Sequence, residues 1–233
     1  MNYGEIERQT FRTFLAFSGL LITVVLIFFN ISSNFYRVSN ITYINDTGLS
    51  KASIESIKGT SIWLVDDTYF DSFYVANPSV EKITITKELP NTLVIDVTIS
   101  EKIAYIQDNR QSPPRAFVLH KNLYTDDVKT NKGLLSLKIN NGPVREGFYE
   151  EIITFVLTLK KYSINISNVS MEFDGTSILV THFNSNFDLG DPSDLARKAS
   201  VVGYYLTEEV CDGEIRLVYS EEGNEIRAVS NCN

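Results

Sequence analysis

The residues able to do chemistry are few and scattered. His120 and His182 are the two histidines of the chain, far apart and outside any zinc-ligand spacing. His120, before Lys121 and Asn122, is expected in an exposed turn, and His182 at the end of a strand rather than as a base. There is no Gly-x-Ser-x-Gly, no phosphate-cradling glycine loop and no Cys-x-x-Cys. Asp66, Asp67 and Asp71 could gather a divalent cation. The favoured reading is a solvated helix start, where free amides and the helix dipole attract carboxylates. Glu221 and Glu222 read as an exposed turn. No catalytic residue, metal site or cofactor is assigned, and a non-catalytic binding module is expected.

The two cysteines, Cys211 and Cys232, allow a sharper argument. If Tyr219 pairs with Asn224 across a turn, antiparallel pairing places Cys211 opposite Cys232. A disulfide there would close a loop of about 20 residues, worth on the order of 3 kcal/mol in the chain-entropy account. The competing reading is two unpaired thiols.

Those residues must be carried by ordinary folded elements. The chain has 233 residues, 43% hydrophobic and 21% charged, with a net charge of -8. That is globular usage, and the acidic balance makes nucleic acid a poor partner. Residues 1–13 form a short tail, expected to be cytoplasmic. Phe14 to Ile31 carries no charge and is long enough, at about 1.5 Å per residue, to cross the hydrocarbon core. Its apolar run is longer than a signal peptide's, and no Ala-x-Ala follows, so an uncleaved anchor is expected.

After the anchor, residues 36–104 predict a first unit of order β-α-α-β-β. Arg37 to Ile44 is β-branched and aromatic, and Asn45 to Gly48 is turn chemistry. Ser50 can cap a helix over 51–58, stopped by Gly59, and a second helix fits 68–76. Ile83 and Ile85 then alternate with threonines. Beyond the Pro90–Asn91 turn, Leu93, Ile95, Val97 and Ile99 share one face of a strand.

Residues 105–229 predict a β-rich unit with two helices, and residues 230–233 a tail. Phe148, Ile152, Phe155, Leu159 and Tyr162 form one helical stripe. Asp191 with Pro192 marks the start of a second helix bearing Leu195, Ala199, Val202 and Leu206. Residues 214–219 and 225–229 read as strands around a Ser220–Asn224 turn. On the last strand, Glu225, Arg227 and Val229 face one side, Ile226 and Ala228 the other. The fold class is α+β behind one transmembrane helix.

These residues carry a family resemblance. Pro78-Ser79-Val80, Lys87, Pro90-Asn91-Thr92-Leu93, Glu101 and Ala104 resemble the closing hairpin of a POTRA domain, in particular that of the FtsQ/DivIB bacterial division proteins. Gly59 to Asp66 is similar to that family's glycine, Ile-Trp and Val-Asp segment. Leu189-Gly190, Lys198 and Ile215 to Tyr219 follow its β-domain in order. Where the family shows acidic-Leu-Arg character, this chain has Arg216-Leu217-Val218, so a charge-pair contact through that strand is not carried over. The resemblance implies a scaffold of the septal division machinery in the cell membrane, with its C-terminal part extracytoplasmic. It implies bitopic FtsB/DivIC-like and FtsL-like partners, with septal peptidoglycan synthases as further candidates. It implies contact through the last strand, which places partner binding on Tyr219, Glu225, Ile226, Arg227, Ala228 and Val229. The alternative is a membrane-anchored extracytoplasmic binding or transport-associated module with a POTRA-like domain.

Overall fold

The computed structural model describes residues 3–45, 48–219 and 225–232. Asp46 and Thr47 of the first expected turn, and the whole Ser220–Asn224 turn with Glu221 and Glu222, lie outside the described residues. The chain divides into two compact units, Met1–Ile99 and Ser100–Asn233. The first unit therefore closes before Ala104, because Ile103 and Ala104 are buried in the core of the second.

The first unit begins with helix α1, Tyr3–Ser32. Its segment Phe11–Phe29, with mean hydropathy 2.1, is long and apolar enough to cross a membrane and is not buried by the protein. A short 3-10 turn, Asn34–Tyr36, follows directly, capped by the Ser33 hydroxyl, which accepts from the Phe35 amide at 3.2 Å. Then come β1 (Asn40–Ile44), α2 (Ala52–Glu55), α3 (Asp71–Ala76), β2 (Val80–Glu88) and β3 (Thr92–Ile99). The sheet order is β1-β3-β2, with β1 parallel and β2 antiparallel to β3. Central β3 turns Leu93, Ile95 and Val97 onto Ile54, Ile62, Phe70 and Phe73, all buried.

The helix expected over 51–58 shrinks to α2, and Ser50 caps nothing with its side chain. Its backbone is held by Asn77 instead, whose Oδ1 accepts from the Ser50 amide at 2.8 Å while Nδ2 donates to the Ser50 carbonyl at 3.0 Å. Asn77 is buried. It satisfies backbone groups of the loop before α2, and such an amide clasp has no periodic signal in the sequence.

The second unit is one mixed sheet. Its strands are β4 (Lys102–Asp108), β5 (Arg115–His120), β6 (Thr125–Asp127), β7 (Leu135–Ile139), β8 (Val169–Phe173), β9 (Ile178–His182), β10 (Ser185–Gly190), β11 (Gly213–Tyr219) and β12 (Ile226–Cys232). They lie in the order β12-β11-β10-β9-β8-β7-β4-β5-β6. Two helices make crossovers. α4 (Phe148–Lys161) joins parallel β7 and β8, and α5 (Leu195–Thr207) joins parallel β10 and β11. A parallel pair needs such a crossover, since a tight turn can only reverse the chain. The predicted stripe Phe148, Ile152, Phe155 and Leu159 is buried, as are Leu195, Ala199 and Val202 of α5. Gly203 lets the helices approach, since a Cβ there would strike the Tyr162 ring.

Two expectations change here. Helix α5 starts at Leu195, not at Asp191–Pro192. Asp191 instead folds its carboxylate back onto the Ser193 amide at 2.8 Å, and Asp194 takes a left-handed conformation, φ 52. The first free helix amide, of Leu195, is capped from outside by Glu151 of α4 at 2.9 Å. His120 is no exposed turn residue either. It is buried at the end of β5, Nδ1 lying 3.1 Å from the Ser100 carbonyl.

Candidate edge-strand interface

The sequence directs attention to the end of the chain, and the fold shows why that end is exposed. The hairpin β11–β12 completes the sheet, so β12 has β11 on one side and, among the described residues, no strand on the other. A strand so placed presents a row of backbone donors and acceptors. The pairing runs from Gly213↔Cys232 to Tyr219↔Ile226. This is two residues away from the expected pairing of Tyr219 with Asn224, and the strand continues past Val229 through residues expected to form a tail.

With this register Gly213, not Cys211, sits opposite Cys232. Cys211 lies just before β11, buried, and still reaches Cys232. Their Cα atoms are 5.2 Å apart and the two sulfurs are bonded. Gly213 makes room, since a Cβ there would collide with the Asn231 carbonyl. Ser185 donates to the Cys211 carbonyl at 2.8 Å, which ties the same corner to β10.

The faces of β12 divide as the alternation suggests. Ile226 and Ala228 are half-buried and pack on the core below. Glu225, Arg227 and Val229 are exposed, Val229 at 61%. A shallow groove between β12 and α5 is lined by Arg197, Ser200, Val201, Glu225 and Ile226. On the opposite face, the outward residues of β9 to β12 are mostly polar, with Arg216 donating to Asp188 at 3.0 Å.

Tyr219 is only partly available as an aromatic anchor. Its hydroxyl donates to Asp194 Oδ2 at 3.2 Å, and the Lys198 ammonium lies 5.3 Å from its ring centroid. Lys198 is itself buried and donates to the Asp191 carbonyl at 2.5 Å. Burial lowers the Lys198 pKa, while the carboxylates of Asp191, Asp194 and Glu151 act the other way. Burial likewise raises that of Tyr219. From the other side Arg145 donates to the Pro192 carbonyl at 2.6 Å. The loop before α5 is thus fastened by two cations, and Tyr219 is fastened to the loop.

Sequence reasoning missed this cluster. The signal was present: Lys198 falls three residues after Leu195 and four before Val202, on the stripe that faces the sheet. A lysine there must find oxygen partners.

The other candidates do not converge. Asp66 accepts from the Thr68 amide at 3.1 Å and hydroxyl at 2.6 Å, capping the 3-10 turn Asp67–Phe70. His182 packs on Phe183 at 4.6 Å, and burial lowers its pKa. Among the described residues no cluster of three or more His, Cys, Asp or Glu side chains could hold a metal.

Comparison with known proteins agrees with this architecture. Residues 37–98 match the family described as POTRA domain, FtsQ-type. The chain is 30% identical over 101 residues to the cell division protein DivIB of Geobacillus kaustophilus (strain HTA426), a match covering 42% of this chain and 38% of the relative. It is 35% identical over 72 residues to the cell division protein DivIB of Staphylococcus aureus (strain NCTC 8325 / PS 47), covering 31% of this chain and 14% of the relative. Both matches therefore span under two fifths of the relatives' own length.

Proposed function

We propose that this chain, a relative of the FtsQ/DivIB bacterial division proteins, is a bitopic scaffold of the division machinery that captures partner chains along β12. The observation that supports the reading is the geometry of β12, a seven-residue strand ending a nine-stranded sheet, with no strand on its outer side among the described residues. An incoming strand could complete that edge with main-chain hydrogen bonds, while Val229 and Arg227 offer side-chain selectivity. The FtsQ-type POTRA domain directs the choice of partner class: FtsB/DivIC-like and FtsL-like bitopic proteins, and through them septal peptidoglycan synthases.

Helix α1 anchors the chain in the cell membrane, with its N-terminus cytoplasmic and the folded parts that follow α1 extracytoplasmic at the septum. A disulfide is at home on that side, since thiols in the cytosol are kept reduced. Confinement to one membrane raises the effective concentration of β12 for anchored partners.

The test is proline substitution at adjacent positions, Ile226→Pro and Arg227→Pro. Successive residues of a strand send their amides to opposite sides, so one variant removes an outward donor and the other a bond to β11. The outward variant is expected to lose co-purification with a DivIC-like partner while keeping native circular dichroism. Co-purification retained by both variants overturns the reading. A fluorescent fusion spread uniformly over the membrane of dividing cells, not gathered at midcell, would favour the transport-associated module.

A further inference from the structure

We propose that the exposed aromatic cluster at the exit of α1 seats the first unit on the lipid–water interface of the membrane. The inference rests on the reading of α1 as a membrane span, and it adds a second contact surface, distinct from β12.

Three observations carry it. Apolar side chains are left in the open beside the helix exit. Phe35 is 63% exposed, Trp63 44% and Leu64 50%. Phe35 stacks edge-on against Tyr36 at 5.1 Å, and Tyr36 lies against Trp63 at 5.7 Å, so the rings form one continuous group.

The group is also stitched to the helix. Ser33 donates its amide to the Phe29 carbonyl at 2.9 Å, and Tyr36 donates to Ser33 at 3.2 Å. Beyond the turn, the Ile62 amide donates to Tyr36 at 2.7 Å and the Val38 amide to Thr60 at 2.9 Å. The chain leaving α1 is thereby paired with the very segment that carries Trp63 and Leu64, and no flexible linker separates them.

The spacing fits a bilayer. The apolar window ends at Phe29, and three helical steps to Ser32 followed by three turn steps carry the chain about 10 Å to Phe35, at rises of roughly 1.5 and 2 Å per residue. The headgroup layer of one leaflet is about 5 to 8 Å thick. Trp and Tyr favour that layer, where an apolar ring and a polar edge are both satisfied. Arg37, exposed and next in sequence, can reach lipid phosphates. A patch this apolar would be a liability on a unit held in water, whereas on a unit held at the membrane it has an occupant at hand.

Trp63 is the one tryptophan of the chain, so its fluorescence reports on this surface alone. The full chain is reconstituted into phosphatidylethanolamine–phosphatidylglycerol vesicles, with or without acyl-chain-brominated phosphatidylcholine. Trp63 emission is expected to shift to shorter wavelength and to lose intensity to the brominated lipid. The double variant Phe35→Asp, Leu64→Asp, at exposed positions, is expected to lose that quenching and gain quenching by aqueous iodide. A wild-type chain that stays in the vesicles through alkaline extraction, yet shows quenching by iodide and none by brominated lipid, overturns the interface while leaving the span intact. Equal brominated-lipid quenching of wild type and double variant also overturns it. Release of the chain by alkaline extraction overturns span and interface together.

Discussion

The two ends of the second unit's sheet differ in the way that sheet edges usually do when one is guarded and the other is used. At one end β6 is three residues long, Thr125–Asp127, with two acidic side chains. Asp127 is held by Arg115 of the neighbouring strand at 2.9 Å, and Val128 runs on into a loop. Short length and charge are the devices that keep an edge from recruiting strangers. At the other end β12 is seven residues long, has no proline or lysine, and is locked to its neighbour by a disulfide. The same sheet thus carries the blunting devices at one edge and lacks them at the other. A long, unguarded edge opposite a short, charged one is the physical content of the proposed interface.

The largest effect should come from breaking one edge and then the other. A proline at the outward position of β12 is expected to lower partner affinity roughly 10- to 100-fold, since it removes a donor to the incoming strand and leaves a carbonyl unpaired at about 1–3 kcal/mol. Asp126→Pro in β6 should leave the affinity unchanged, as read by titration calorimetry against a DivIC-like partner. Equal loss at both edges would erase the distinction.

Next in size is the disulfide. Cys232→Ser should cost on the order of 3 kcal/mol of second-unit stability, given a sequence separation of 21 residues, as measured by urea unfolding. Two free thiols titrated on the denatured, unreduced wild-type protein would remove the lock from the comparison.

A smaller effect belongs to the Tyr219 corner. Tyr219→Phe deletes the bond to Asp194 and should cost about 1 kcal/mol, with β12 still paired. Lys198→Ala should cost more than Tyr219→Phe, because it leaves the Asp191 carbonyl without its buried donor. A reversed order would mean that Tyr219, not Lys198, holds the corner.

The smallest effect tests the middle of the sheet, away from both edges. The β8–β9 turn is built on Asp174, which accepts the amides of Thr176 and Ser177 at 2.8 Å. These bonds hold its carboxyl down to about 2. A depressed carboxylate contributes stability above its unfolded value of 3.8, lost as the pH falls through the folded value. Asp174→Asn should therefore flatten the stability profile slightly between about pH 5 and pH 2 and leave partner binding at neutral pH untouched.

How much of this was legible in the sequence depends on whether a feature is periodic. The alternation of Leu93, Ile95 and Val97 and the stripe of α4 are periodic, and they appear where expected. Features set by contacts across the fold left no such trace. Asp191 and Pro192 spell a helix start, yet α5 begins later because Glu151 on α4 supplies the cap. His120 stands in turn-like company, yet it is buried, with Nδ1 on the Ser100 carbonyl and its ring centroid 5.3 Å from that of Tyr124. The β11–β12 register lies two residues from the expected one, because an expectation set by a turn depends on turn length, which polar residues alone do not fix. The error left every side chain on its expected face, since the period of a strand is two.

The covalent tie at Cys232 has one more consequence. A hairpin held only by hydrogen bonds frays at its open end, here the Cys232 end, because the chain itself joins β11 to β12 beside Ile226. The disulfide shuts that open end, so the ladder lies inside a closed covalent loop and has no end left to fray. Tension from a bound partner at Cys232 is carried by the covalent tie and passed on to Cys211, and the strand should keep its register under load.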